Sequence, residues 1–173
     1  MHKINLQQAV DQLNQEELLI YPTETVYGLG CRVDSQLALT KLLNFKPRST
    51  GFIILVTSWE QALLLLNIQI DTAQLFKQEP TTWVFPSSTK TPKQLCSSKG
   101  EIAIRKIDFE PTKTLIESLG CPLVSTSANK PGMPTARTDK ELTKLAVPVM
   151  SGSIGNQKPS TIIHYLSKEI LRP

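Results

Sequence analysis

Five consecutive apolar residues, FIILV at positions 52–56, leave this chain few choices of fold. The run lies between Gly51 and Thr57, and a short apolar stretch bounded in this way is typical of a strand buried on both faces. Because such a strand needs cover above and below the sheet, we expect helices as well as strands elsewhere in the chain.

Helical and strand-like patterns do alternate along the sequence. Capping boxes at Ser58 with Gln61 and at Thr138 with Glu141 predict two of the helix starts. We expect helices over 5–17, 34–46, 59–66, 71–79, 111–119 and 140–146, and strands over 18–21, 51–58, 81–86, 101–107, 121–127, 147–151, 160–166 and 169–173. The segment 22–30, with two glycines, is expected to be a loop. The expected fold class is α/β, a mixed sheet with flanking helices in one domain over residues 1–173.

The composition is that of an ordinary globular protein, with 40% hydrophobic and 20% charged residues. A formal net charge of +4 favours an anionic partner only weakly. No segment reaches the roughly 20 apolar residues that span a membrane, and the N-terminus lacks the apolar stretch of a signal peptide. Three well-separated cysteines and two histidines argue against a disulfide framework and a zinc site. We therefore expect a cytoplasmic protein without a protein-bound metal.

Common nucleotide-binding and hydrolase motifs are missing from the sequence. The glycine pair in YGLGCRVD lacks the third glycine of a dinucleotide fingerprint, and there is no GxxxxGK[ST] loop. Nor is there a GxSxG elbow or a serine with an obvious histidine base. Any ligand site must be built from other groups.

A first polar cluster, Thr23, Glu24, Thr25 and Tyr27, comes directly after the strand expected at 18–21. Proteins with α/β sheets tend to place ligand-binding groups directly after the end of a strand. A hydroxyl-rich turn that satisfies its own backbone explains the cluster equally well.

A second cluster consists of two cations, Lys46 and Arg48, on either side of Pro47. They precede the buried run at 52–56, so they could grip phosphates or a carboxylate near the sheet edge. Alternatively, Lys46 ends a helix and could simply complement its dipole.

A third cluster lies where a buried strand ends in hydroxyls and an amide. Ser125, Ser127 and Asn129 alternate, so in an extended chain their side chains share one face. Arg105 is a lone cation in an apolar strand, and a buried arginine needs an anionic partner from the protein or from a ligand. The residues alone thus predict a cleft of hydroxyls and arginines suited to a small anionic ligand.

These segments, in this order, resemble a known family. YPTETVYGLGCRVDS, KPR, AIR, PLVSTSANKPGMP and PSTII match the pattern of the YrdC/Sua5 family, and the short length matches its single-domain, TsaC-like form. The resemblance implies a YrdC-like fold, a twisted sheet curled around a positively charged concave cavity. It also implies a threonylcarbamoyl-AMP synthase, a nucleotidyltransferase that joins L-threonine, bicarbonate or CO2, and ATP for the t6A modification of tRNA.

The resemblance also assigns roles by position. Threonine would be held by Thr25, Arg105, Ser125 and Ser160, with Arg105 pairing with its carboxylate. The residues expected to line the ATP site are Lys46, Arg48, Ser127, Asn129, Thr135 and Arg172. Lys46 and Arg48 are also the expected catalytic residues. Mg²⁺ would arrive with ATP, bound by phosphates and water, and the expected partners are downstream proteins of the t6A pathway and tRNA itself.

Two departures from the family pattern lie near the expected nucleotide cavity. The segment KQEPTT keeps Pro80 and Thr82 but lacks the usual tryptophan and glycine, and the segment after Arg48 is shorter than usual. The alternative function is a non-catalytic RNA-binding module with the same fold. Its support is the charge of +4 alone, because the ten aromatic residues form no stacking cluster in the sequence. A third function, carbamoyl-adenylate chemistry, is that of the homologous domain in hydrogenase maturation proteins.

Overall fold

A computed structural model describes residues 3–47, 52–75 and 80–173 of the chain. Its strands are β1 (Lys3–Ile4), β2 (Leu19–Pro22), β3 (Tyr27–Arg32), β4 (Ile53–Val56), β5 (Thr81–Pro86), β6 (Glu101–Lys106), β7 (Leu123–Ser127), β8 (Val149–Met150), β9 (Thr161–His164) and β10 (Ile170–Arg172). Its α-helices are α1 (Leu6–Asn14), α2 (Gln36–Phe45), α3 (Trp59–Leu63), α4 (Thr112–Leu119) and α5 (Asp139–Thr143), and short 3-10 helices cover Thr72–Leu75 and Lys93–Leu95.

All of these strands belong to one sheet, in the order β1-β8-β2-β3-β7-β4-β6-β5-β9-β10. The sheet is mixed. The pairs β4–β6 and β5–β9 are parallel, whereas β3–β7, β4–β7 and β5–β6 are antiparallel. The prediction of a mixed α/β sheet is confirmed.

Helices cover both faces of the sheet, as the apolar run at 52–56 requires. Ile54 of β4 belongs to a core cluster with residues of α2 and α3, whereas its neighbour Leu55 packs on the opposite face with α1 and α4. Both side chains are at most 1% exposed. The alternation of a strand therefore sends neighbouring residues into two separate cores.

The segment 22–30 was expected to be a loop, and this expectation is wrong for its second half. Residues Tyr27–Arg32 form β3, a strand inside the sheet between β2 and β7. Its glycines allow close packing rather than a turn: a Cβ on Gly30 would lie 2.0 Å from the carbonyl oxygen of Val124 on β7.

The two predicted capping boxes have different outcomes. The box of Thr138 and Glu141 is confirmed at the start of α5. The box of Ser58 and Gln61 is wrong, because Ser58 makes no side-chain capping bond and Gln61 Oε1 accepts a hydrogen bond from the Thr57 N–H at 2.8 Å.

The prediction of an α-helix over 71–79 is wrong for the described part of that segment, because Thr72–Leu75 form a 3-10 helix instead. The second half includes residues 76–79, which lie outside the described residues. No helix in the described part of the chain is long and apolar enough to cross a membrane.

Candidate active site

A cavity of about 260 Å³ opens on the sheet face that carries Tyr21 and Leu55. Its lining comes from widely separated parts of the sequence: Thr23, Thr25, Val26, Gly28, Ile53, Arg105, Ser125, Thr126, Ser127, Thr135, Pro159, Ser160 and Arg172. Hydroxyl groups dominate the polar part of this lining, and two guanidinium groups supply positive charge.

Strand register explains why these side chains meet. Ser127 of β7 pairs with Gly28 of β3, and Ser125 pairs with Ile53 of β4 on its other side. Directly opposed residues place their side chains on the same face of a sheet. The two serines therefore point into the same cavity, as the alternation in the sequence predicts.

Arg105 is buried within β6 and has an acidic neighbour. Its Nε lies 3.6 Å from Glu24 Oε1, and the two side chains are 7% and 10% exposed. This separation is too long for a hydrogen bond, and neither Arg105 Nε nor Glu24 Oε2 has a hydrogen-bond partner among the described residues. Glu24 therefore offsets part of the arginine's charge, while the guanidinium group remains available to an anion in the cavity.

The turn that contains Glu24 holds itself together through Thr23. The Thr23 hydroxyl donates to the carbonyl oxygen of Val26 at 2.7 Å and accepts from the Val26 N–H at 3.2 Å. For Thr23 the interpretation as a self-satisfied turn is therefore correct. Thr25 Oγ1 lies 3.2 Å from Thr23 Oγ1 at the cavity wall.

The far wall of the cavity is built by the C-terminal strands. Arg172 of β10 donates from Nη2 to the carbonyl oxygen of Ser160 at 2.7 Å. The Ser160 hydroxyl is in turn 2.8 Å from the hydroxyl of Thr82 on β5. These contacts hold the second guanidinium group of the lining at the cavity.

Lys46 and Asn129 lie behind this lining. Lys46 is fully buried, and its Nζ donates to Asn129 Oδ1 at 2.6 Å. Asn129 follows the end of β7 at Ser127, so the strand alternation no longer directs its side chain. Arg48 lies outside the described residues. The binding and catalytic roles expected of these three residues stay predictions.

The sequence analysis assigned no individual role to three residues of the site: Tyr21, which it did not single out, Glu24, which it named only within the first polar cluster, and Thr82, which it named only as a residue of the segment KQEPTT. Tyr21 lies beneath the cavity floor, where a Cβ on Gly28 would come within 2.6 Å of its ring. Burial raises the pKa of the Tyr21 hydroxyl well above its usual range. Only Glu24 had a usable signal, because it is an acid in a threonine-rich turn and a buried arginine elsewhere requires a carboxylate.

The site is not built around a cluster of metal-binding side chains in the described residues. In residues 3–47, 52–75 and 80–173, no group of three or more His, Cys, Asp and Glu side chains is placed to hold a metal ion. The lining instead offers hydroxyl and guanidinium donors, which suit the oxygen atoms of phosphates and carboxylates.

Comparison with known proteins shows the family to which this chain belongs. The profile of the Sua5/YciO/YrdC family, described as telomere recombination, matches residues 11–173. The chain belongs to this family.

Several Sua5/YciO/YrdC relatives cover nearly its whole length. Proteins named threonylcarbamoyl-AMP synthase are 38% identical in Enterobacter sp. (strain 638), over 97% of this chain and 95% of the relative, and 37% identical in Pasteurella multocida, over 98% and 99%. The protein of that name in Escherichia coli K12 is 36% identical over 95% of this chain and 93% of its own length.

Solved structures of the Sua5/YciO/YrdC family agree with the fold. P. abyssi Sua5 complexed with L-threonine matches with a TM-score of 0.83 at 25% identity, over 99% of this chain and 56% of that one. E. coli YciO matches with a TM-score of 0.82 at 21% identity, over 99% of this chain and 93% of its own, and this likeness concerns the fold alone.

Proposed function

We propose that this chain is a threonylcarbamoyl-AMP synthase, which makes threonylcarbamoyl-AMP and pyrophosphate from L-threonine, bicarbonate or CO2, and ATP. Its product would supply the t6A modification of tRNA. The relatives that share 36–38% of its residues over nearly full length carry this name.

The observation that carries the proposal is the common cavity. Thr25, Arg105, Ser125 and Ser160, the expected threonine-binding set, line the same space as three residues of the expected ATP-binding set, Ser127, Thr135 and Arg172. The carbamate formed from threonine and the ATP that it attacks are both anions, so their reaction needs both in one site with their charges offset. The hydroxyl and guanidinium groups that line the cavity are suited to this.

The chemistry requires positioning more than a covalent nucleophile. The amine of threonine attacks CO2 and loses a proton, which gives a carbamate. A carbamate oxygen then attacks the α-phosphorus of ATP, and the bond to pyrophosphate breaks. In both steps negative charge must be held in place, and preorganised donors in a water-poor site stabilise such charge effectively.

In this proposal Mg²⁺ arrives with ATP and is held by its phosphates and by water. The polar side chains of the cavity lining are hydroxyl and guanidinium groups, which can donate to phosphate oxygens. Mg²⁺ instead prefers carboxylates, phosphates and water. When bound, the ion would neutralise phosphate charge during attack.

The test is a reconstituted reaction with purified protein, MgATP, L-threonine and bicarbonate. We expect pyrophosphate release that requires both threonine and bicarbonate, together with an adenylate detectable by mass spectrometry. Omitting either co-substrate is the control for background ATP hydrolysis. If the complete mixture forms no adenylate above that background, the proposal is wrong.

The alternative, a non-catalytic RNA-binding module, makes an opposite prediction. It requires RNA binding that weakens steeply with salt, without binding of ATP or threonine. The names of the relatives do not favour it.

A further inference from the structure

The buried ammonium group of Lys46 donates hydrogen bonds to residues at the end of β7 and directly after it. Lys46 directly follows α2, and its side chain has no exposed surface. Its Nζ donates to the carbonyl oxygen of Ser127 at 2.7 Å, to Ser127 Oγ at 3.2 Å and to Asn129 Oδ1 at 2.6 Å. Ser127 lines the cavity and Lys46 does not. In this arrangement Lys46 reaches the cavity lining through its hydrogen bonds to Ser127.

The hydroxyl group of Ser127 is engaged by the same two residues. Ser127 Oγ donates its proton to Asn129 Oδ1 at 2.6 Å and accepts from Lys46 Nζ at 3.2 Å. A hydroxyl group in this state presents only a lone pair to the cavity. A phosphate oxygen, however, needs a donor, so binding requires the Ser127 proton to turn away from Asn129.

Lys46 determines the free-energy cost of rotating the Ser127 hydroxyl group away from Asn129. If Ser127 were the only donor to Asn129 Oδ1, this rotation would leave a buried acceptor unsatisfied. Because Lys46 donates to the same oxygen at 2.6 Å, Asn129 keeps a charged donor after the proton has left. The Ser127 proton can therefore be given to a ligand without leaving a buried polar group unpaired.

We propose that Lys46 is a positioning residue that frees the Ser127 hydroxyl group to donate to a phosphate oxygen of ATP. The inference rests on the proposed function, because ATP is the anion it concerns. It assigns Lys46 an indirect role at the site, which differs from direct contact with the nucleotide.

The test is a double-mutant cycle on equilibrium MgATP binding by the full chain. We expect Lys46→Met and Ser127→Ala each to weaken ATP binding by roughly tenfold or more, the size of a lost buried hydrogen bond. In the Ser127→Ala protein, adding Lys46→Met should weaken binding by no more than about threefold further, because the group through which Lys46 acts is already gone. Lys130→Met, which removes an exposed lysine from the loop after Asn129, is the matched control and should change affinity less than about twofold.

Additive losses, roughly a hundredfold in the double variant, would mean that Lys46 contacts the nucleotide itself and would overturn the inference. That result would leave the proposed function intact. Absence of MgATP binding by the unmodified protein would reject both.

A crystal structure of the unmodified protein with a non-hydrolysable ATP analogue provides a check that needs no variant. We expect Ser127 Oγ within about 3.0 Å of a phosphate oxygen while Lys46 Nζ keeps its bond to Asn129 Oδ1. A structure in which Lys46 Nζ bonds to a phosphate and the Ser127 hydroxyl stays on Asn129 would overturn the inference even if Lys46→Met failed to fold.

Discussion

Arg105 and Glu24 combine burial with incomplete pairing. Both side chains are at least nine-tenths buried, yet Arg105 Nε and Glu24 Oε1 are 3.6 Å apart. A tight bidentate pair would satisfy both groups and leave the arginine little capacity for a ligand. The loose contact instead offsets part of the arginine's charge and leaves guanidinium donors for a carboxylate.

We predict that Arg105→Met abolishes measurable threonine binding and also destabilises the fold. The loss of stability should be on the order of 3 kcal/mol, because Glu24 is left as a buried charge without its partner. Calorimetric titration with L-threonine and urea unfolding measure the two effects.

A double variant separates these two effects. Arg105→Met combined with Glu24→Gln removes both charges, so it should recover most of the stability while threonine binding stays lost. Threonine binding at the unmodified affinity in this double variant would contradict the assignment of Arg105.

The cysteines differ in reactivity for a local reason. Burial raises the pKa of the Cys31 thiol to about 12 and that of Cys121 to about 11. Thiolates are the reactive form, so we predict that both residues label at least tenfold more slowly than the half-buried Cys96 with iodoacetamide at pH near 8. Mass spectrometry of the labelled peptides measures this, and urea-unfolded protein, in which all three should react alike, is the control.

At the scale of elements, β3 depends on its glycines because two neighbours crowd it. A Cβ on Gly30 would meet the carbonyl oxygen of Val124 at 2.0 Å and the Tyr21 hydroxyl oxygen at 2.7 Å. The first of these atoms belongs to the backbone of β7, so it cannot swing aside as a side chain could. The close approach of β3 to β7 also brings Gly28 opposite Ser127 at the cavity.

We predict that Gly30→Ala destabilises the protein by about 3 kcal/mol or more, since β3 and β7 must separate to admit the methyl group. Urea unfolding measures the change. Gly100→Ala is the matched control: its surroundings are open, and with a φ of +71° it should lose only about 1 kcal/mol from backbone strain. Equal losses in the two variants would show that the packing at Gly30 is not tight.

Patterns among residues close in sequence predicted some elements correctly and gave a wrong prediction for others. The alternation in β6, the shared face of Ser125 and Ser127 in β7 and the capping box of Thr138 and Glu141 depend on residues close in sequence, and these predictions are confirmed. The prediction that Asn129 shares the face of the two serines is wrong, because β7 ends at Ser127 and Asn129 does not line the cavity. The loop expected at 22–30 failed because Gly28 and Gly30 were interpreted by their backbone freedom. Their actual importance is the space they leave for Tyr21 and Val124, which no local pattern encodes.

At the scale of the whole molecule, the sheet separates two cores, and a buried cysteine lies in each. The pKa of each thiol is raised from 9.0 in the folded state. As the pH rises above 9.0, the unfolded chain therefore loses thiol protons that the folded chain keeps. The corresponding stability is fully present below this pH and is lost towards the folded-state values of about 11 and 12.

We predict that the free energy of unfolding falls between pH near 9 and pH near 10.5, and that Cys31 alone contributes about 2 kcal/mol of the fall. Urea unfolding under reducing conditions across this range measures it. Cys31→Ala should show a shallower decline, whatever its stability at neutral pH. An identical slope in the two proteins would contradict the contribution of Cys31.

The sequence by itself determined the family, the fold class, most strand and helix positions and the side chains that deserve attention at the site. These follow from side-chain periodicity, turn chemistry and motifs, which are properties of residues near one another in the chain. Only the tertiary structure decided the strand order and the pairs Glu24 with Arg105 and Lys46 with Ser127. Such contacts join residues about 80 positions apart, and their geometry depends on how the entire sheet packs between its two helical layers.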